Sequence, residues 1–187
     1  SVSEIHGLIS QSEWTGVPIR ALLEEAGLTE DAAWLVAEGA DAARLNRSVP
    51  LSKIMDDALI ALYQNGERIR PQQGYPMRLL LPGYEGNMSV KWLHRLQVSS
   101  QPALSRQETS KYTDMYADGK AQIFTFPMGV KSVITAPSPG LKLTDKGLYE
   151  IRGLAWSGQG RVRQVEVSAD GGRTWAEAQI DGPSLGK

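Results

Sequence analysis

The sequence predicts an α+β domain followed by a β-sandwich. Helical and strand periodicities alternate through the first half of the chain, a polar stretch rich in Ser, Thr, Gly and Pro follows Ser99, and beyond Val133 only short strand patterns recur, separated by Gly and Asp turns. The 187 residues are 41% hydrophobic and 22% charged, enough apolar sequence to bury a core.

Thr15 to Gly27 carries helical signals, with Pro18 suited to a first helical position and Gly27 to a stop; Ile19, Leu22, Leu23 and Ala26 form the apolar face. Ala33 to Ala37 reads as a short buried strand ending in the polar turn Glu38-Gly39-Ala40-Asp41. Ser48-Val49-Pro50 is expected to open a second helix, with Ser48 as its cap and Leu51, Ile54 and Met55 facing inward. Ala58 to Gln64 reads as a strand leading into an Asn65-Gly66 turn, and Arg78 to Leu81 as another strand. Val90, Trp92, His94, Leu96 and Val98 alternate with more polar neighbours as in a half-buried strand, which makes His94 a core histidine. In the last third, Leu148–Trp156, Val162–Ser168 and Thr174–Ile180 read as strands, with a turn at Asp170-Gly171-Gly172. Their spacing is that of an immunoglobulin-type sandwich; such a sandwich has about seven strands, whereas the pattern supplies roughly four, so the sandwich is expected to be cut short. The boundaries are placed at 1–108 for the first domain, 109–132 for a connector and 133–187 for the start of the sandwich.

Composition excludes several functions. Lys and Arg total 20 against 21 Asp and Glu, a net charge of -1, which argues against a nucleic-acid binder. No apolar run approaches the ~20 residues of a membrane span. The absence of cysteine rules out disulfides, Cys-ligated metals and thiol catalysis within the chain, and says nothing about compartment. With two histidines, His6 and His94, and no clustered carboxylates, no metal ligand is assigned. The chain begins at Ser1 with neither Met nor a signal peptide, so a targeting segment is expected to have been removed or to lie outside these residues.

The stretch from Gly74 to Trp92 carries the main candidate site. It sets the strand Leu79-Leu80-Leu81 between two glycine-punctuated loops, with one cation beside each, Arg78 and Lys91. Either both are solvated surface cations, or both face an oxyanion with help from backbone N–H groups of the Gly83–Gly86 loop. Neither G-x-G-x-x-G nor G-x-x-x-x-G-K-[ST] spacing is present, so no dinucleotide or P-loop site follows. Asp41 suits either a ligand's amino groups or the capping of its own turn, and Tyr112 either a hydroxyl donor or a packing residue.

These motifs resemble the sulfite oxidase family of molybdenum enzymes over nearly the whole chain and in the family's order. They are Glu13-Trp14-Thr15-Gly16-Val17, Gly39-Ala40-Asp41, Ser48-Val49-Pro50-Leu51, Gly74-Tyr75-Pro76-Met77-Arg78 through Val90-Lys91-Trp92-Leu93, and Val165-Glu166-Val167-Ser168 through Trp175. Within the family, Gln73-Gly74-Tyr75-Pro76 and Pro82-Gly83-Tyr84-Glu85-Gly86-Asn87-Met88 look most like the sulfane dehydrogenase branch of the bacterial Sox sulfur-oxidation systems. The resemblance implies a partial molybdopterin-binding domain and a partial immunoglobulin-like dimerisation domain. It implies pterin contacts at Asp41, Gln73, Arg78, Ser89, Val90 and Lys91, and a catalytic role for Tyr112 beside the metal and the substrate oxyanion. It further implies a molybdenum cofactor, oxidation of sulfane or sulfite sulfur, a c-type cytochrome acceptor, homodimerisation through the second domain and a periplasmic location. Two departures stand out. Gln73 occupies the place where many relatives have His, and the family's molybdenum-ligating Cys would fall before Ser1. The chain is therefore expected to be a fragment, inactive by itself; the rival readings are a plain sulfite dehydrogenase and a non-catalytic binding or assembly module that keeps the fold.

Overall fold

A computed structural model of the chain describes residues 8–138 and 140–182. Ser12–Pro127 form one compact unit, and residues 8–11 and 128–182 belong to a second. His6 and the end of the expected sandwich at 183–187 lie outside the described residues.

Two antiparallel sheets carry the core of the first unit, and a separate hairpin follows them in the chain. In one, β4 (Leu59–Gln64) is central: β1 (Trp14–Pro18) pairs along one edge, and β5 (Glu67–Arg68) and β6 (Arg78–Leu80) pair with it as well. In the other, β2 (Trp34–Gly39) lies between β3 (Asn46–Pro50) and β7 (Leu93–Ser99). Helices α1 (Ile19–Ala26) and α2 (Leu51–Asp57) contribute Ile19, Leu23 and Ile54 to a core completed by Leu35, Ala37, Val49, Leu79, Leu81, Met88 and Val90. β2 alternates buried and half-buried residues along its length, the pattern of a strand with one face on the core.

Three expected elements differ. Thr15 to Val17 are strand, not helix; α1 starts only at Ile19, after Pro18. Gly16 explains the pairing, because a Cβ there would sit 2.1 Å from the Ile60 carbonyl oxygen. Ser48 does not cap a helix: Asn46–Pro50 are strand, and the Ser48 hydroxyl bonds to Glu108 and to the Ala103 N–H. His94 is exposed and is not a core histidine. The alternation that suggested otherwise breaks at Trp92, whose φ of 50° is left-handed, and at a bulge between Glu38 and Gly39.

The residues after Ser99 are more structured than their composition suggests. A short helix α3 (Arg106–Ser110) leads into the hairpin β8 (Thr113–Met115) and β9 (Ala121–Ile123). Phe124 and Phe126 then pack on Trp34, with centroids 5.3 and 6.3 Å away, and Phe126 stacks on Tyr84 at 5.3 Å.

The second unit contains two separate ladders among its described residues, β10 (Lys131–Ala136) with β11 (Arg152–Trp156) and β12 (Glu166–Val167) with β13 (Ala176–Glu177). Its strands are shorter than their sequence patterns, and none of its described residues is buried. A two-stranded ladder has no second layer on which to seat its apolar side chains, so pairing stops early. The Asp170 turn is the best-bonded feature. Its carboxylate accepts from the Thr174 N–H and hydroxyl, the Ser168 hydroxyl and the Arg173 N–H at 2.7–3.0 Å.

Those bonds to Thr174, then to Ser168, lower the Asp170 pKa to about 2 from the ordinary 3.8. Because the folded value is depressed, the turn's stabilisation is present above the ordinary pKa and is lost as pH falls through the folded one. Amide NMR should show the Thr174 N–H losing its hydrogen bond with a midpoint at about pH 2, and Asp170→Asn should abolish that transition. In the first unit, Gly16→Val should cost about 2 kcal/mol or more in urea denaturation, the scale of an overpacked core; a neutral result would mean that β1 can separate from β4 at no cost.

Candidate functional site

The first half of the site is built on a single helical turn, Pro71–Gln73, closed by Gly74 at φ 109°. Its consecutive carbonyls each accept a side-chain donor. Trp92 Nε1 reaches Pro71 O at 2.8 Å, Lys91 Nζ reaches Gln72 O at 2.7 Å, and Arg78 Nη1 reaches Gln73 O at 3.1 Å. Arg78 Nη2 also donates to Ser89 O at 2.9 Å, and its guanidinium lies 5.1 Å from the Trp14 ring centroid. Arg78 is buried, yet its Nε has no partner. Burial lowers its pKa, but an arginine remains charged. Lys91 is half-exposed, and neither cation is paired with a carboxylate among the described residues.

The other expected pterin contacts surround the same segment. Asp41 is half-buried and caps its own turn, with Oδ1 accepting the Leu45 N–H at 3.0 Å. The adjacent Ala40 N–H bonds to Trp92 O at 2.8 Å, tying that turn to Lys91–Trp92. Ser89 is buried, and its hydroxyl accepts the Leu81 N–H. Val90 places its side chain in the core, and its carbonyl accepts the Leu79 N–H at 2.9 Å. Gln73 is half-buried within the turn itself. In the Gly83–Gly86 loop two of the four amides are taken, the Tyr84 N–H by Leu81 O and the Glu85 N–H by Phe126 O. The loop is also held by buried Lys53, which donates to Pro82 O at 2.6 Å, pairs with Asp57 and lies 4.9 Å from the Tyr84 ring.

Tyr112 belongs to a second cluster. Its ring lies 4.7 Å from the guanidinium carbon of Arg47, which is only 2% exposed. Arg47 Nε and Nη2 point at the Met88 sulfur at 3.0 and 2.9 Å, and Nη1 has no partner. Burial lowers the Arg47 pKa, opposed by the nearby negative charge of Glu108. Glu108 is 1% exposed and accepts from the Ser48 N–H, the Ser48 hydroxyl and the Ser105 N–H, the last two at 3.2 and 2.9 Å. Its own carbonyl accepts the Thr113 hydroxyl, one residue beyond Tyr112. Glu108 thus joins the strand carrying Arg47 to the segment carrying Tyr112. Met88 and Ser89, neighbours in sequence, contact Arg47 and Arg78 respectively, and so link the two clusters.

Sequence reasoning did not single out Arg47, Lys53 or Glu108. The Ser105-x-x-Glu108 spacing of a capping box was legible and would have found Glu108. Nothing in the pattern around Arg47 distinguishes it from a surface arginine.

Residues 1–107 match the oxidoreductase molybdopterin binding domain, and residues 122–186 match the Mo-co oxidoreductase dimerisation domain. The chain belongs to this family of molybdopterin oxidoreductases. It is 33% identical to mitochondrial sulfite oxidase of Mus musculus, across 94% of the chain and 35% of that relative. It is 32% identical to the NADH nitrate reductase of Petunia hybrida, across 94% of the chain and 23% of that relative. The solved sulfane dehydrogenase SoxCD from Paracoccus pantotrophus is similar in fold at a TM-score of 0.90 and 50% identity, covering 94% of this chain and 45% of that one. The chain therefore spans about a third of the length of the sulfite oxidases and under half of the SoxCD chain it matches.

The residues present fit the anionic end of a molybdopterin. A buried guanidinium with an unpaired Nε and a half-exposed ammonium at the same turn suit a phosphate, which wants several N–H donors and no nearby carboxylate. The sequence has no cysteine, so a thiolate bond to the metal is not part of what these residues offer.

Glu108→Ala should destabilise the first unit by about 3 kcal/mol in urea denaturation, because it leaves buried donors on Ser48 and Ser105 without an acceptor. A loss below about 1 kcal/mol would show that water replaces the carboxylate.

Proposed function

We propose that this chain supplies the pterin-phosphate cradle and part of the substrate side of a molybdenum-dependent sulfane dehydrogenase of the Sox type. The observation that carries the reading is the buried, carboxylate-free Arg78, held at the Pro71–Gln73 turn beside Lys91. The 50% identity to SoxCD, against 32–33% for the nitrate reductase and sulfite oxidase, favours the sulfane branch. So does Gln73, which hydrogen-bonds but does not titrate near neutral pH.

In this reading Arg78 and Lys91 hold the phosphate, Ser89 and the Val90 backbone shape the wall behind it, and Asp41 and Gln73 border the pterin. The molybdenum cofactor, when bound, supplies the two-electron oxidation of the sulfur substrate, with water as the oxygen source. Tyr112 donates its hydroxyl to an oxygen of the sulfur oxyanion, where negative charge concentrates. The electrons leave to a c-type cytochrome partner, and the compartment in this reading is the periplasm. The second unit begins an immunoglobulin-like module through which two copies pair.

In the whole enzyme, Arg78→Met should lower molybdenum content at least tenfold by elemental analysis, and Arg78→Lys should retain an intermediate amount. Full molybdenum in Arg78→Met would overturn the phosphate assignment. Cytochrome c reduction should be faster with protein-bound sulfane sulfur than with sulfite; the reverse order would make the enzyme a plain sulfite dehydrogenase.

A further inference from the structure

Arg47 is 2% exposed, yet among the described residues none of its guanidinium N–H groups meets an oxygen. Its Nε and Nη2 rest on the Met88 thioether, a weak acceptor, and Nη1 bonds to nothing among the described residues. A buried guanidinium is ordinarily paired with a carboxylate. Here the carboxylate that acts on it most strongly, Glu108, has its oxygens bound to Ser48 and Ser105, and no ion pair joins Arg47 to it or to Glu85 among the described residues. The face of the guanidinium is covered by the ring of Tyr112, which is itself 38% exposed. The protein therefore keeps a fixed cation, with an unused donor, directly against the residue that the proposed function assigns to the substrate.

We propose that Arg47 is a second binding residue for the substrate, pairing with a sulfur oxyanion beside the Tyr112 hydroxyl. The inference rests on the reading of Tyr112 as a substrate-side residue. The ligand class follows from the donors: a compact anion with at least two charged oxygens, so that one takes the guanidinium and another the phenol. An anion at Nη1 also replaces the hydration that burial has removed from Arg47, so binding relieves a cost the free protein carries. The contacts of Arg47 and Arg78 to adjacent residues, Met88 and Ser89, put the substrate cation and the phosphate cation on opposite ends of one short link.

A purely structural role would make Arg47 a support for the Tyr112 ring. Sulfate, a non-reacting oxyanion, separates the two. In the full chain, NMR resonances of the Tyr112 ring, identified by their loss in Tyr112→Phe, should shift saturably on sulfate titration. Arg47→Met keeps the apolar bulk and removes the charge. It should weaken sulfate at least tenfold while leaving the thermal midpoint unchanged or raising it, because an unpaired buried cation is gone. Arg47→Lys, with charge but no fork, should bind sulfate at an intermediate affinity, and it carries the test if Arg47→Met does not fold. Unchanged sulfate affinity in the folded variant, or Tyr112 resonances that never saturate, would overturn the inference. Molybdenum content of the whole enzyme should not respond to Arg47→Met. A normal sulfate response together with full molybdenum in Arg78→Met would instead retire the phosphate assignment and leave this one standing.

Discussion

The arrangement of the site depends on one buried carboxylate. Glu108 closes the start of α3 through the Ser105 N–H and at the same time holds Ser48 of β3 by backbone and side chain. Hydrogen bonds to a charged acceptor contribute roughly 1.5–3 kcal/mol each, more than neutral ones. Segments far apart in sequence are thereby locked in register, and Arg47 and Tyr112 meet as a result. The charge compensates itself through N–H and O–H donors rather than through the neighbouring guanidinium, which leaves Arg47 available.

Arg78 and Lys91 have a double task. In the protein as it stands they hold the Pro71–Gln73 turn by its carbonyls, together with Trp92. Those bonds stabilise the turn and fix the cations in position before any anion arrives. Arg78 keeps one buried donor unsatisfied, a local cost that a core position would not tolerate without a functional return. The rest of the first unit is organised to bear that cost, with β6 seated on β4 and Leu79 and Val90 fully buried on either side of the link.

Much of this was legible in the sequence, unevenly and for physical reasons. The buried strand expected at Ala33–Ala37, which the structure extends to Gly39, and the Asn65-Gly66 turn followed from apolar patterning and turn chemistry. Thr15–Val17 was misassigned to a helix because Pro18 and Gly27 mark a helix without saying that its first residues pair with β4. The Gly83–Gly86 loop reads as an anion cradle because glycine exposes amides, and what sequence does not report is that Leu81 and Phe126 take the amides of Tyr84 and Glu85 between the glycines. Arg47 was invisible because burial of a charged residue is decided by tertiary packing, not by its neighbours. The strands of the second unit were visible in pattern but mostly not in length, since a pattern does not report whether a facing layer exists.

Two glycines press on the backbone of Lys91 from different segments: a Cβ at Gly39 would lie 2.7 Å from its carbonyl oxygen, and one at Gly74 would lie 3.0 Å from its Cα. The main chain at this position is clamped, and the side chain returns to the Gln72 carbonyl in the same turn that Gly74 closes. A side chain at 39 or 74 would therefore push on the Lys91 backbone and displace the ammonium that the turn holds. The position of the cradle's ammonium is thus set in part by two residues that carry neither charge nor side chain.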